Sequence, residues 1–202
     1  MKKTLLLAVL ALALPTAVFA GSSVDYYNSG GTLSGSSSGL TLTGSSLFAV
    51  NGYNGNGMVQ GTDLGGLSFG TGQMLTGSLK NGGTFSSTGS WFKLTGNGTD
   101  GIPKGSVFSG SFSGSITLTL LPTLSNGTHQ YTISGELAGA NGIVGPTQQW
   151  TINTGKGYFN GMTTISGGYT NLTSVVPEPG SLGLLGTGLI GLAGVLRRKL
   201  KS

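Results

Sequence analysis

The stretch that decides the fold is Val107-Phe108-Ser109-Gly110-Ser111-Phe112-Ser113-Gly114-Ser115-Ile116-Thr117-Leu118-Thr119-Leu120. Apolar side chains and hydroxyls alternate along it with period two, which is the pattern of a half-buried β-strand. One face carries Phe108, Phe112, Ile116, Leu118 and Leu120, and the other carries Ser109, Ser111, Ser113, Ser115, Thr117 and Thr119. Gly110 and Gly114 fall on the apolar face, where a missing side chain indicates a bulge, a bend or a close neighbour. The sequence predicts one long strand with a hydroxyl-rich side.

The same period recurs on either side of this strand. Asn126-Gly127 follows it, and the chain returns with apolar residues at Tyr131, Ile133 and Leu137. Asn-Gly supplies the positive φ angles that tight hairpin turns require, so this pair predicts a hairpin. Five further strands are predicted over Leu40–Val50, Met74–Leu79, Thr84–Leu94, Gln149–Thr154 and Met162–Leu172. Residues 51–72 are predicted to form the longest loop.

Strands of this length and spacing predict an all-β body, a single antiparallel β-sandwich or barrel-like domain rich in Gly, Ser, Thr and Asn. A solenoid is the competing architecture, but the Gly-Ser-Gly motifs recur without a fixed period. A disordered stalk is the other alternative. Disorder is typical of low hydrophobicity with high net charge, whereas aromatic and β-branched residues recur here at intervals. A folded domain is therefore favoured.

Residues 1–20 have the three parts of a signal peptide. Lys2 and Lys3 form a positive start, and Leu5–Leu14 is an apolar run too short to span a membrane. Small residues in Val18-Phe19-Ala20 predict cleavage after Ala20, which leaves Gly21 as the new N-terminus. Residues 21–175 then form the extracytoplasmic all-β domain, and their number is enough for one hydrophobic core.

The C-terminal part of the chain contains three successive segments. Residues 176–180 begin with Val176-Pro177-Glu178-Pro179, and each proline fixes its own φ and biases the preceding residue towards extended backbone. Residues 181–196 carry no charge, and as a helix they reach about 24 Å, at or just below the lower end of what spans the hydrocarbon core of a bilayer, so they predict a short transmembrane helix. Residues 197–202 form a basic tail that the positive-inside rule places in the cytoplasm. Its cations are Arg197, Arg198, Lys199 and Lys201.

This order of segments resembles the PEP-CTERM sorting class of exported proteins, and the resemblance covers about residues 176–202 together with the signal peptide. It implies that a membrane-embedded exosortase cuts near Pro177-Glu178-Pro179 and removes the helix and the tail. The protein is then held only transiently in the inner membrane of a Gram-negative bacterium before it reaches the cell surface or the extracellular polysaccharide matrix. The alternative is an ordinary single-pass anchor with a proline-stiffened linker.

The net charge of +5 comes entirely from the two ends of the chain. The signal peptide contributes two lysines, and the tail contributes four cations against Glu178. Residues 21–175 hold four lysines against four carboxylates, Asp25, Asp63, Asp100 and Glu136, so this body is neutral. A neutral body offers no basic surface for a phosphate backbone, which excludes nucleic acid as a partner. The chain has no cysteine, which excludes disulfides and thiol chemistry.

The body shows no catalytic constellation, and we predict no cofactor and no metal site. His129 is the single histidine and follows a turn, with no nucleophile or orienting acid placed nearby. The four carboxylates show no paired spacing for glycoside hydrolysis. Gly96–Gly101 fits the dinucleotide fingerprint only formally, because Pro103 and Gly105 stand where a helix must follow. Extended to Ile102, the segment also resembles one copy of a calcium-binding nonapeptide repeat with Thr95 in place of the first glycine, but such repeats share ions between stacked copies. A hairpin loop is therefore the favoured interpretation.

Trp91 and Trp150 are the candidate sugar-stacking residues, because flat aromatic rings stack on sugars and neutral hydroxyls suit polyhydroxylated chains. Large aromatic residues also fill the core of a glycine-rich sheet, and that interpretation stays open for both. We therefore expect a non-enzymatic surface or matrix protein with a structural or polysaccharide-associated body. A secreted carbohydrate-binding module is the alternative, and a secreted hydrolase is a third class.

Overall fold

The computed structural model describes residues 23–174, which form an all-β domain of antiparallel strands and confirm the predicted fold class at that level. The twelve strands are β1 (Ser23–Ser29), β2 (Thr32–Ser36), β3 (Gly39–Asn51), β4 (Val59–Gly70), β5 (Met74–Ser78), β6 (Gly82–Phe85), β7 (Trp91–Gly96), β8 (Gly105–Phe112), β9 (Ile116–Leu120), β10 (Gln130–Gly139), β11 (Ile143–Asn153) and β12 (Met162–Ser174). Two short 3₁₀ turns, Tyr53–Gly55 and Ala140–Gly142, complete the described elements.

The strand pairings return to their starting point. Strand β3 pairs with β4, and the ladder continues through β7, β8, β10 and β11 to β12. Strand β12 then pairs with β1 and β2, and both of these pair with β3. The sheet is therefore closed, so β3 and β12 both have partners on their two sides. Strands β9, β6 and β5 form a branch that leaves the ring at β10.

The strand predicted over Val107–Leu120 is divided into β8 and β9 by residues 113–115. Gly114 has φ +88°, a left-handed conformation that glycine adopts at no steric cost. Both halves pair with the same side of β10, through Phe112 with Leu137 and Leu120 with Tyr131. On their other side they have different partners, β7 for β8 and β6 for β9. The sheet forks at this bend, while the predicted apolar and hydroxyl faces are both confirmed.

Three other predicted boundaries are wrong. The loop predicted for residues 51–72 contains β4, whose apolar pattern is interrupted, because Leu64 is buried out of phase with the buried Leu67 and Phe69. The single strand predicted over Thr84–Leu94 is β6 and β7, with a turn closed by Ser90 N–H donating to the Ser87 carbonyl at 2.9 Å. Strands β1 and β2 lie where no strand was predicted. The predicted hairpin is confirmed as β9 and β10.

One apolar cluster fills the interior of the closed sheet, and its centre is aromatic. The Trp150 ring centroid lies 4.5 Å from that of Phe69, 6.0 Å from Phe92 and 6.2 Å from Phe112. Phe69 and Phe112 meet edge to face at 5.6 Å, a preferred arrangement of aromatic pairs. The apolar side chains of the strands point into this core, so the alternating polar side chains lie on the outer face.

The branch is fastened to this interior by a buried tyrosine. The hydroxyl of Tyr131 donates to the Lys80 carbonyl at 2.7 Å and accepts from the Phe159 N–H at 3.1 Å. Lys80 lies in the β5–β6 turn, and Phe159 lies in the connection from β11 to β12. This one hydroxyl therefore joins the branch to the closed ring, and it satisfies two backbone groups that would otherwise lack partners.

Within residues 23–174, no helix has the length and apolar character needed to cross a membrane. The predicted signal peptide 1–20, the sorting segment 176–180, the helix 181–196 and the basic tail 197–202 lie outside the described residues. Their structure, and the predicted limits of the body at residues 21 and 175, stay predictions.

Candidate functional site

The residues predicted for sorting lie outside the described part of the chain. They are the cleavage pair Ala20 and Gly21, the motif Val176, Pro177, Glu178 and Pro179, and the basic residues Arg197, Arg198, Lys199 and Lys201. The site geometry therefore concerns the outer face of the β domain.

The two tryptophans have opposite locations. Trp150 is fully buried in the aromatic core, so the expectation that it stacks on a sugar is wrong. Trp91, at the start of β7, is 42% exposed on the outer face. Its indole lies over Gly70, the residue directly opposite on β4, and a side chain there would collide with the ring. Because Gly70 has no side chain, the indole of Trp91 packs flat against the β4 backbone and is held as a fixed platform.

Three more aromatic side chains form a cluster on the outer face, across β3, β1 and β12. The rings of Tyr27 and Tyr169 have centroids 5.4 Å apart, and Tyr27 lies 6.4 Å from Phe48. Phe48 is 42% exposed, and both tyrosines are half-buried. Tyr27 and Tyr169 are directly paired across the β1–β12 ladder, which explains their proximity. We call Tyr27, Phe48 and Tyr169 the aromatic cluster.

A hydrogen-bond network centred on Asp25 borders the aromatic cluster. One carboxylate oxygen of Asp25 accepts from the Tyr169 hydroxyl at 2.7 Å and from Asn171 Nδ2 at 2.7 Å. Asn171 also donates to the Ser23 hydroxyl at 2.6 Å and accepts from the Thr173 hydroxyl at 3.1 Å. Partial burial, together with the hydrogen bond to Asp25 and the charge of that carboxylate, raises the pKa of Tyr169 to about 12. The phenol therefore stays neutral at ordinary pH as a fixed donor.

A cleft of about 380 Å³ opens on the outer face where the sheet forks. Its lining includes hydroxyls from both sides of the bend, Ser113, Ser115, Thr117 and Ser134, with Gly114, Gly135, Glu136, Pro146 and Gln148. Strand β10 pairs with β9 up to Ser134 and with β8 from Leu137, so the ladder is interrupted between them. Gln148 is 1% exposed, and its Oε1 accepts no hydrogen bond from the described residues. The Gln148 side chain shares the buried side of β11 with Trp150 and Ile152, so the open part of the cleft combines hydroxyls with one carboxylate.

His129 lies at another place, next to the β9–β10 loop, as a buried residue packed against Tyr158. The two ring centroids are 4.0 Å apart, and Lys80 Nζ lies 4.8 Å from the Tyr158 centroid. The backbone N–H of His129 donates to the Gly155 carbonyl at 2.7 Å, and the backbone carbonyl of His129 accepts from the Thr154 N–H at 3.1 Å. These contacts give His129 a packing role between two loops.

The loop after β7 is a hairpin connection, as the sequence indicated. Gly96 and Gly105 are paired at the ends of β7 and β8. Inside the loop, the Asn97 side chain accepts from the Thr99 N–H at 3.0 Å and from its hydroxyl at 2.6 Å. Within residues 23–174, no group of three or more His, Cys, Asp and Glu side chains is arranged to hold a metal ion.

Sequence reasoning did not identify the aromatic cluster or the cleft. The aromatic cluster joins residues from β1, β3 and β12 that no local pattern connects, because only the register of the closed sheet brings them together. For the cleft a signal existed, since Gly114 was singled out as the position of a bend. The locations of the two tryptophans also had a signal in the sequence. Trp150 and Ile152 fall on the same face of their strand, whereas Trp91 falls on the face opposite Phe92 and Leu94.

Comparison with known proteins bears on the C-terminal segment. No curated protein and no solved structure matched this chain. Residues 175–199 match the family model described as the PEP-CTERM protein-sorting motif, which confirms the resemblance drawn from the sequence. The matched range contains the Pro177-Glu178-Pro179 repeat, the uncharged segment and the first three cations of the tail. This chain therefore carries a C-terminal PEP-CTERM sorting motif, which implies an exported protein processed by an exosortase.

Proposed function

We propose that this protein is a non-enzymatic component of the cell surface or extracellular matrix, released from a transient inner-membrane anchor by an exosortase. The observation that carries the proposal is the sorting motif at residues 175–199. A proline-paired extended segment next to a short apolar helix is suited to cleavage after transport, because a protease cleft binds extended backbone. Signal cleavage after Ala20 and a cytoplasmic basic tail belong to the same proposal.

The body, in this proposal, is a barrel-like domain that associates with extracellular polysaccharide. Its neutral charge and its hydroxyl-rich outer face support such a partner, since hydroxyls both donate and accept hydrogen bonds. A closed ring of strands also suits a matrix protein, because it leaves fewer free sheet edges for uncontrolled aggregation. The closed ring therefore presents side chains to the matrix, whereas β5, at the end of the branch, pairs with β6 on one side only among the described strands.

A carbohydrate-binding module with a defined ligand is the second candidate, and exposed aromatic side chains favour it. Trp91 lies flat over Gly70 on the outer face, and the aromatic cluster of Tyr27, Phe48 and Tyr169 lies next to hydrogen-bonding groups. Glycoside hydrolysis is less well supported, since it requires two carboxylates flanking the scissile bond. The lining of the cleft includes one carboxylate, that of Glu136.

Removal of residues 176–202 tests the sorting proposal. We expect the truncated protein to lose its membrane-bound intermediate and to be released without reaching the envelope fraction of the parent. Mass spectrometry of the mature parent is expected to show a protein that begins at Gly21 and lacks the helix and the tail. The double variant Pro177→Ala/Pro179→Ala is expected to accumulate uncleaved in the membrane.

Pro122→Ala is the matched control, because Pro122 is an exposed proline in the β9–β10 loop. It is expected to be sorted and cut like the parent. A mature protein that retains Leu196 and Arg198, or a truncated protein found in the same fraction as the parent, would contradict the sorting proposal.

A further inference from the structure

A row of outward-facing side chains crosses the sheet in continuous register. Each member lies directly opposite the next on the neighbouring strand, from the branch to the closed ring. In order the members are Thr76, Thr84, Thr117, Ser134, Gln149, Tyr169 and Tyr27. We call these seven residues the cross-strand band, and Phe48 extends it beside Tyr27.

The cross-strand band changes chemistry along its length. Its first half is hydroxylated, and the hydroxyls of Thr76 and Thr84 already share a hydrogen bond of 2.8 Å. Gln149 lies exposed at the transition and adds an amide with donors and an acceptor. The second half is aromatic, and there the Tyr169 hydroxyl is held in place by its hydrogen bond to Asp25. Hydrogen bonding and ring stacking are the two contacts that a sugar chain uses.

The fork cleft lies midway along the cross-strand band. Thr117 and Ser134 belong to both, so the row of side chains passes over the cleft mouth. Ser113 and Ser115 line the same cleft, so hydroxyls converge on it from both sides of the bend. A hydroxyl both donates and accepts hydrogen bonds, which suits the hydroxyls of a sugar. The cleft therefore adds a concave feature to the cross-strand band that favours a polyhydroxylated ligand.

Charge restricts the ligand further. The seven residues of the cross-strand band are uncharged, and the nearest charges on their own strands are the carboxylates of Asp25 and Glu136. A polyanion is repelled by such a border, whereas a neutral chain is not. Seven strands at a spacing of about 4.8 Å give the cross-strand band a length of about 29 Å. This length suits an extended polymer better than a single sugar.

We propose that the cross-strand band binds one neutral, linear polysaccharide that runs perpendicular to the strands. The polymer places a sugar hydroxyl in the fork cleft beside Thr117 and Ser134, and it stacks on the aromatic cluster at the other end of the cross-strand band. This inference rests on the proposed association with polysaccharide and assigns its location and its ligand class.

Affinity electrophoresis of the folded body in gels containing a soluble polysaccharide tests the inference. The neutral polymers are hydroxyethyl cellulose, mixed-linkage β-glucan, dextran and galactomannan, and alginate serves as the polyanion. We expect retardation in at least one neutral polymer and none in alginate. Tyr27→Ala is expected to weaken that interaction roughly fivefold through the loss of one stacking contact. Gln149→Ala is expected to weaken it roughly threefold through lost hydrogen bonds, and its exposed position protects the fold.

The matched control is Thr41→Ala, which changes an outward residue opposite Gly70 of β4, in another row, and is expected to migrate like the parent. Trp91→Ala tests the competing location of the binding site, because Trp91 lies opposite the same glycine. No retardation in any of the four neutral polymers would overturn the inference, as would stronger retardation in alginate. Loss of retardation in Trp91→Ala alone would also overturn it while leaving association with polysaccharide intact. The sorting experiment depends on residues 176–202 and is decided separately.

Discussion

Each of the two tryptophans lies opposite a glycine on the neighbouring strand, but one is on the inner face of the sheet and the other is on the outer face. Trp150 on β11 is paired with Gly168 on β12, and Trp91 on β7 is paired with Gly70 on β4. Each indole lies against its glycine, yet the first is fully buried and the second is 42% exposed. Pairing with a glycine fixes the position of each ring, and the parity of the strand decides whether that ring packs in the core or faces solvent.

Truncation of the two tryptophans is expected to give the largest difference in stability between the inner and the outer face. Trp150→Ala opens a cavity at the contact with Phe69, Phe92 and Phe112, so it is expected to lower the free energy of unfolding by about 3–5 kcal/mol. Trp91→Ala removes a surface ring, and the expected cost is less than about 1 kcal/mol. Urea denaturation followed by circular dichroism measures both. Equal costs would show that the two faces are not energetically distinct.

A side chain added beneath each ring sharpens the comparison. Alanine at Gly168 collides with the Trp150 indole and the Asn28 amide inside a closed core, where neither group has room to move. We expect Gly168→Ala to cost about 1–3 kcal/mol, the usual penalty for overpacking. Alanine at Gly70 meets only the exposed ring of Trp91, which swings outward at a smaller cost. The same denaturation assay, with Trp91 fluorescence as a second signal, distinguishes the two, and a larger cost at Gly70 would contradict this account.

The sequence correctly predicted which face of a strand is buried, but it predicted poorly where strands begin and end and which strands are neighbours. Alternation correctly assigned the buried and hydroxyl faces of β8, β9 and β10, because period two depends only on local backbone geometry. It missed β4, where Gly61, Gly65 and Gly66 remove the apolar side chains that would mark a strand. It also joined β8 to β9, since a bend at one glycine leaves the parity of the flanking residues unchanged.

The aromatic cluster shows why the candidate site was harder to predict than the fold. Tyr27 and Tyr169 lie at opposite ends of the body sequence, and their contact depends on the register by which β12 closes the sheet against β1. That register is set by the complete ladder and not by either strand alone. Trp91 was foreseeable as a surface residue because Phe92 and Leu94 alternate with it, whereas the ring of Tyr169 has no such local signal.

Two tyrosines extend the comparison of faces to pH. Burial on the inner face, and secondarily the charge of Tyr53, raises the pKa of Tyr26. On the outer face, partial burial and then Asp25 raise the pKa of Tyr169 to about 12. Because an unfolded tyrosine titrates near pH 10, each neutral phenol stabilises the fold fully below about pH 10. That contribution decreases as the pH rises through the folded-state pKa.

Absorbance at alkaline pH is expected to separate the two residues. Asp25→Asn removes the carboxylate charge but keeps an acceptor for the Tyr169 hydroxyl. The ionisation of Tyr169, which is the reversible tyrosine transition at the highest pH, is therefore expected to move below pH 12. Tyr169→Phe is expected to remove that transition altogether. Tyr26 is expected to ionise only when the domain unfolds, because no change on the outer face relieves its burial. A transition near pH 12 that persists unchanged in Tyr169→Phe would instead assign it to another tyrosine, and the aromatic cluster would then lack a phenol held neutral by its hydrogen bond to Asp25.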